Sequence, residues 1–577
     1  MEKRAIFAIL LTILVILFWT FIQPKLFPPP PTKPQPQEVK KEEVSPQEKL
    51  EGKKTEIKES KILKGGKISA KAKIVPQKEV SIETQNYLAV FTSEDARLKH
   101  FKLKKYHDRV KEAGLTIKLI QFVNEILGKN VEEPKEPELL DLVNTKEETN
   151  LPLRLTSSVS DENWEVDKDQ LRLLESGEGG EITFSKSLEN GLRLLKRFKF
   201  ASDQYTIDLE VEVQNNSSKE ITNQLGLEWV GKIELEKISK EGNKDYGLNY
   251  FFLKNQKVEK KVFGGARSTG CVPSCGPGKT TFEPFETTVK DDIKWFSFGG
   301  EYFAALLIPP PSKEITLSVK GIEKDLLKAE IIPSPISIPP HEKASSTYRI
   351  YLGPKDEDRL KALGVNAEKL VDFGYFTIIA KPLLWFLRLT NRVTNNYGID
   401  IIIISILIKI IFLPLTQISM KSMKEMQKVQ PEMKRLQEQY KNDKARLQQE
   451  IMLLYKRRKI NPMSGCLPML IQIPVFIALY NALQNGMEMR HAPFFLWIRD
   501  LAAKDPIYIT PLIMGASMVI QQKMTPSAAD PAQAKMFLLM PVMFTFLFLN
   551  FPSGLVIYWL INNVLSIAHQ YYVNRKT

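Results

Sequence analysis

Two rhythms of apolar residues divide the chain near Pro354. From about Ile74 to that point, apolar and polar residues alternate. Tyr205–Val213 (YTIDLEVEV) does so over nine residues, and Arg197–Phe200, Ile315–Ile322 and Tyr348–Leu352 repeat the theme. Period two with Gly, Pro and Asn punctuation predicts antiparallel strands with one wetted face. Residues 76–354 are therefore expected to form one large β-sandwich, with a short helix around Thr116–Leu127. Beyond Gly353 the spacing turns helical and the apolar runs lengthen. Membrane spans are predicted at 398–415, 463–484, 507–522, 536–550 and 554–571, followed by a tail at 572–577. Residues 371–392 are aromatic-rich but interrupted by Lys381, Pro382 and Arg388, which predicts an amphipathic helix in the interface plane.

The first 75 residues differ from both halves. Ala5–Ile22 is an uncharged run behind Lys3 and Arg4, longer than a signal-peptide core and followed by no small-x-small cleavage site. Residues 1–27 are read as an uncleaved anchor with its N-terminus in the cytoplasm. Residues 28–75 are rich in Pro, Lys and Glu and lack the apolar side chains that offset ordering entropy, so a solvated linker is expected. The expected fold class is a multi-domain membrane protein, with an all-β domain outside and an α-helical bundle of five core spans plus the anchor. Both termini then face the cytoplasm. Two spans are short: fifteen or sixteen helical residues reach about 23–24 Å, against a hydrocarbon core of about 30 Å.

Charge refines this picture. The net charge is +14, and residues 416–461 hold about half of it, with twelve Lys/Arg against five Asp/Glu over Thr416–Ile460. A basic segment between two apolar runs obeys the positive-inside bias and argues for a cytoplasmic loop rather than a nucleic-acid surface. Within it Met420, Met423, Met426, Val429, Met433, Leu436 and Tyr440 recur at helical spacing. After Lys441-Asn442-Asp443 come Leu447, Ile451 and Leu454, so the segment is expected to be a helical hairpin. Cys271 and Cys275 sit four apart in a Gly/Pro loop and either pair with each other or remain two free thiols.

Little in the sequence suggests an enzyme. The five histidines form no metal-ligand spacing, and GPGKT at Gly276–Thr280 lacks the first glycine of a phosphate loop. No catalytic residue, metal or cofactor is expected. The informative residue is Lys409, a charge inside the apolar stretch Ile399–Leu415. Such a charge costs about 2.5–3.5 kcal/mol on insertion scales and marks a functional site by default. Ser405 shares its helix face, and Gln472, Asn562 and Asn563 in other spans could join it in lining a hydrophilic cavity. Alternatively the lysine stem reaches the nearby surface.

The motifs LIKIIFLPLTQISMKSMKEMQKVQPEMKRLQEQY, NPMSGCLPMLIQIPVFIALYNAL, DPIYITPLIMGASMVIQQKM and FPSGLVIYWLINNVLSIAHQ closely resemble the YidC family of bacterial membrane protein insertases. The likeness covers Phe373–Tyr572, and the anchor, linker and β domain resemble the Gram-negative form. It implies a multi-pass protein of the bacterial inner membrane with five core helices around a hydrophilic groove, and a periplasmic supersandwich similar to sugar-mutarotase folds. The groove charge falls on Lys409, where many members carry arginine. Substrate contacts would map to Gln472, Ile473, Pro474 and Phe476, to Met514 and Met518, and to Tyr558 and Trp559. The implied partners are nascent membrane proteins, the Sec translocon, the lipid bilayer, and the ribosome and targeting receptor through the hairpin. The rival reading from the residues is a secondary transporter or channel built around Lys409; it predicts paired broken helices and internal repeats.

Overall fold

The computed structural model describes residues 75–575 apart from 112–113, 127–135, 146–149, 157–161, 189–190, 233–248, 263–283, 324, 442, 459–466 and 525–530. The expected anchor, nearly all of the linker, and Cys271, Cys275 and Cys466 lie outside the described residues.

Among the described residues the strands form four sheets. The largest runs antiparallel from Lys257–Val262 through Asn249–Lys254, Ile293–Gly299, Phe303–Ile308, Lys343–Pro354, Thr206–Asn215, Leu192–Ala201 and Gly179–Ser187 to Glu165–Val166. Beside its central strand Lys343–Pro354 runs Thr206–Asn215, where Ile207, Leu209, Val211 and Val213 are buried while Asp208 and Glu210 look outward. The alternation read from the sequence is the physical cause of this element. Two five-stranded sheets cover the inner face. One, built on Glu79–Thr84, Tyr87–Thr92 and Arg97–His107, brings Phe91 within 4.6 Å of Phe198. The other contains Leu227–Lys232, where Gly231 lies so close under the Phe298 ring that an added Cβ would stand 2.3 Å from it. A two-stranded ribbon pairs Ile221–Asn223 with Ile336–Ile338. Helix α1, Gly114–Ile126, matches the expected short helix.

Helix α2 (Glu357–Ala362), capped by the Asp356 carboxylate, leads out of the last strand. Next come α3 (Thr377–Thr394), α4 (Tyr397–Ile411), α5 (Leu413–Lys428), α6 (Gln430–Gln439), α7 (Lys444–Arg457), α8 (Leu467–Asn485), α9 (Ile509–Met524), α10 (Pro531–Phe548) and α11 (Ser553–Arg575). Several expected boundaries shift. The helix expected in the interface plane begins at Thr377 rather than at 371 and ends where Asn395 turns left-handed at φ 51°. The span expected at 398–415 stops at Ile411 and bends by 58° into α5. Pro414 explains the break, because its ring lacks an N–H and clashes with the carbonyl four residues back. The hairpin is three helices rather than two, because Pro431 interrupts the first arm after Val429. The last helix continues to Arg575, so much of the expected tail is helical. No single helix among the described residues is long and apolar enough to cross a membrane alone. The bent pair α4–α5 qualifies by length and composition, and Leu539–Phe548 is a shorter apolar segment.

The hairpin arms hold each other through a small apolar seam. Val429 and Met433 are buried against Leu454, and the Tyr455 hydroxyl reaches the Met433 sulfur at 3.3 Å. Met452 and Leu453 remain exposed.

Candidate functional site

Helix α4 owes its start to Asn396, whose side chain accepts the Gly398 and Ile399 N–H groups. One residue into its apolar run sits Asp400, which is fully buried. Its carboxylate accepts from Asn391 Nδ2 at 2.8 Å and Thr394 Oγ1 at 2.7 Å, fastening α4 to the end of α3. Glycines allow the bundle to close. An added Cβ at Gly515 of α9 would fall 2.0 Å from Thr545 Oγ1 of α10. Helix α11 packs against α4, α8 and α9, and so forms the spine of the bundle.

Lys409 lies at the hairpin end of α4, half-buried against α11. Its Nζ donates to Ser566 Oγ at 2.6 Å, and that hydroxyl donates to the Asn562 carbonyl at 2.6 Å. The amine borders a recess of about 170 Å³ whose surface is almost wholly apolar, walled by Ile406, Ile410, Leu413 and Leu565, with Thr416 and His569 also lining it. Among the described residues Lys409 makes no ion pair with a carboxylate. The lysine is thus oriented by one hydroxyl and leaves donor capacity toward the recess.

The other expected lining groups do not gather there. Ser405 is buried and bonds its own helix at the Ile401 carbonyl, 2.6 Å away, although it shares a helix face with Lys409. Asn562 donates to the Tyr558 carbonyl at 2.9 Å and Asn563 to Ser517 Oγ at 3.0 Å, both buried. Gln472 lies beside the Tyr558 hydroxyl. Asn563 and Gln472 join helices to one another, while Asn562 bonds back within α11. Sequence reasoning missed Ser566 and His569. Their signal was the spacing Asn562, Ser566, His569, one polar face along α11.

The positions mapped as substrate contacts divide by exposure. Ile473 on α8 is exposed, while Pro474, Phe476 and Met518 are half-buried and Met514 and Tyr558 fully buried. Trp559 anchors an aromatic cluster, with its ring centroid 5.0 Å from Phe476, 5.2 Å from Phe548 and 6.0 Å from Phe544. That cluster joins α8, α10 and α11.

The opposite end of the bundle is closed by the loop 486–508. Ser553 Oγ donates to the Asp500 carbonyl at 2.8 Å and Ser553 N to Ala503 O at 2.7 Å, so the loop caps α11. Buried Asp505 caps α9 through the Thr510 N–H and hydroxyl. His491 Nε2 and Asp500 Oδ2 stand 3.9 Å apart. They are not an ion pair at neutral pH: burial and neighbouring Arg490 push His491 down to about 3, leaving the ring neutral. Burial pushes the Asp500 carboxyl up to about 6 from 3.8. A raised carboxyl pKa contributes stability that is full below 3.8 and lost as pH rises through about 6. Asp500→Asn should therefore lose less unfolding temperature than the parent chain between those two pH values, as read by a calorimetric pH series.

The chain thus joins a β domain through an amphipathic helix to a helical bundle, with one oriented lysine at a recess near a basic hairpin, and comparison with known proteins places it among membrane protein insertases. The profile of the 60Kd inner membrane protein family matches residues 389–577, and that of the YidC periplasmic domain matches residues 79–386. A membrane protein insertase YidC of Syntrophus aciditrophicus is 41% identical over 507 residues, 87% of this chain and 85% of the relative. Those of Geotalea daltonii and Citrifermentans bemidjiense are each 37% identical over 581 residues, 100% of this chain and 99% of the relative. The chain belongs to the YidC family of membrane protein insertases. Among solved structures, an active YidC insertase with its first transmembrane domain resolved aligns over 86% of this chain and 93% of its own, at 18% identity and a TM-score of 0.35.

Proposed function

We propose that this insertase works through the Lys409 recess, open toward the cytoplasmic hairpin and closed on the outer side by the loop 486–508. The observation that carries this reading is the Lys409 ammonium, held 2.6 Å from Ser566 beside a cavity and without a carboxylate partner among the described residues. The polar outer tail of an incoming helix enters the recess, where the ammonium attracts its acidic groups. The apolar helix slides past Ile473 on α8 and the Trp559 cluster of α11 into lipid, driven by burial of apolar surface without an external energy source. Helices α4 and α9, at 15 and 16 residues, reach about 22–24 Å. A bilayer thinned around them shortens the tail's crossing.

In this reading the chain is multi-pass in the inner membrane, with both termini cytoplasmic and the β domain periplasmic. The hairpin meets the ribosome and targeting receptor, the bundle cooperates with the Sec translocon, and α3 lies in the outer interface. Photo-crosslinkers at Lys409, Gln472 and Trp559 in turn, facing a stalled nascent membrane protein, should each give a client adduct. Adducts absent from position 409 but abundant elsewhere would remove the recess from the path.

A further inference from the structure

We propose that the tip of the outer loop, Phe495 and Leu496, is a membrane wedge. It shares one apolar corner with the C-terminal end of α3 and inserts among the acyl chains of the outer leaflet. The proposal rests on the multi-pass reading above, which places this loop at the outer surface.

Two distant stretches of sequence supply the corner. On α3 the exposed apolar residues Ile378, Trp385, Leu389 and Val393 form a single stripe, Val393 being 85% exposed, while Ala380, Leu384 and Leu387 bury the opposite face. A hundred residues later, Phe495 and Leu496 are 56% and 66% exposed. The structure fixes these two places together. Asn396, just past the end of α3, donates through Nδ2 to the Phe494 carbonyl at 3.2 Å. The Phe494 ring lies against Gly398, where an added Cβ would be 2.0 Å away, so the tip is seated on the first turn of α4. That turn begins a membrane-spanning segment, and its depth is the boundary between headgroups and acyl chains.

The local geometry argues that exposure of the tip is built in. The turn is closed on itself by Phe494 N to Ile498 O and Ile498 N to Phe495 O, both 3.0 Å. Leu496 holds a left-handed backbone at φ 53°, a conformation that suits glycine or asparagine far better than leucine. The chain therefore accepts strain at a position where an apolar side chain projects away from the protein. Meanwhile the base of the same loop grips the β domain: Arg490 donates to the His107 carbonyl at 2.5 Å and sits 5.0 Å over the Phe303 ring. With its base on the β domain and its tip in lipid, the loop acts as a strut that sets the height of that domain above the bilayer. Lipid is the favoured occupant because the corner continues the stripe of α3, whose spacing is that of an interfacial helix.

The test uses the full chain in phospholipid vesicles, with Cys271, Cys275 and Cys466 replaced by serine and a nitroxide at Leu496→Cys, Ile378→Cys or Met452→Cys. The ratio of oxygen to nickel-chelate accessibility at 496 should match that at 378 and exceed that on the hairpin severalfold. A water-like ratio at 496 with a lipid-like one at 378 overturns the wedge alone. Water-like ratios at both positions overturn it together with the interfacial placement of α3. Immobilisation at 496 that grows with protein density assigns the corner to a second copy of the chain and also overturns it. Should the cysteine-free chain fail to fold, p-benzoylphenylalanine at Leu496 in the otherwise unaltered chain should yield phospholipid adducts; protein adducts only would contradict the proposal.

Discussion

Lys409→Glu should cut insertion of clients with acidic outer tails at least tenfold, while Lys409→Arg stays near the parent level. A carboxylate about 6 Å from the ammonium gains about 3 kcal/mol at an effective dielectric of about 20. Water and counterions in an open recess reduce that to about 1–2 kcal/mol, and reversing the charge turns the attraction into repulsion of similar size. The swing between the two is at least about 2 kcal/mol, which at about 1.4 kcal/mol per decade exceeds a factor of ten. Arginine keeps the charge and can still donate to Ser566, so its altered shape should matter less. The readout is the fraction of client protected from protease in vesicles, with a client bearing a neutral tail as the control. Equal loss in both variants, or loss for the neutral client as well, would remove charge attraction from the mechanism.

Lys196→Met should destabilise the β domain by about 3 kcal/mol, lowering its unfolding temperature by about 6–12 °C at about 2–4 °C per kcal/mol. Lys196 is fully buried on the core face of its strand. Its Nζ donates to the carbonyls of Asp95 at 2.6 Å, Leu153 at 2.7 Å and Ala96 at 3.2 Å, and lies 5.2 Å from the Trp164 ring. Those three residues all have left-handed backbones, with φ of 52°, 74° and 47°. One ammonium thus holds together two strained turns, one carrying Asp95 and Ala96 and the other Leu153, whose three carbonyls converge. Burial pushes its amine down to about 7, and nearby Asp95 counters that push. Methionine preserves volume and removes the cost of a buried charge, but it takes away the donor that three buried carbonyls share. The last effect is larger, since losing a buried hydrogen bond to a charged group costs about 1.5–3 kcal/mol. Calorimetry of the full chain checks this; an unchanged transition would show that the carbonyls find other donors.

Lys196 also shows how far the sequence could be read. In Leu192–Ala201, residues Leu192, Leu194, Lys196, Phe198 and Phe200 share one phase of the alternation, so a lysine on the core face was visible in advance. Its partners were not, because Asp95 and Leu153 come from loops far away in the chain. The same limit applies at the recess. The Lys409 anomaly was plain from its apolar surroundings, whereas the break after Ile411 fell inside a span expected to run on to residue 415. Ser566 and His569 became neighbours of Lys409 only through the register between α4 and α11, which no local pattern specifies. Spacing along α4 placed Ser405 beside Lys409, yet a short hydroxyl in an apolar helix finds the carbonyl four residues back more readily than a distant cavity. The loop 486–508 was the least legible segment, since its shape depends on Gly398, Asn396 and His107 rather than on its own periodicity.

The most direct test is the reach of a membrane-impermeant maleimide to a cysteine at position 409, measured in membrane vesicles of both orientations with the native cysteines replaced. Labelling from the cytoplasmic face, and none from the outer face, is the predicted result. A thiol that stays unmodified from either side, while one at Thr416 reacts, would mean that the recess is dry and that lysine at this depth has no part in drawing clients in.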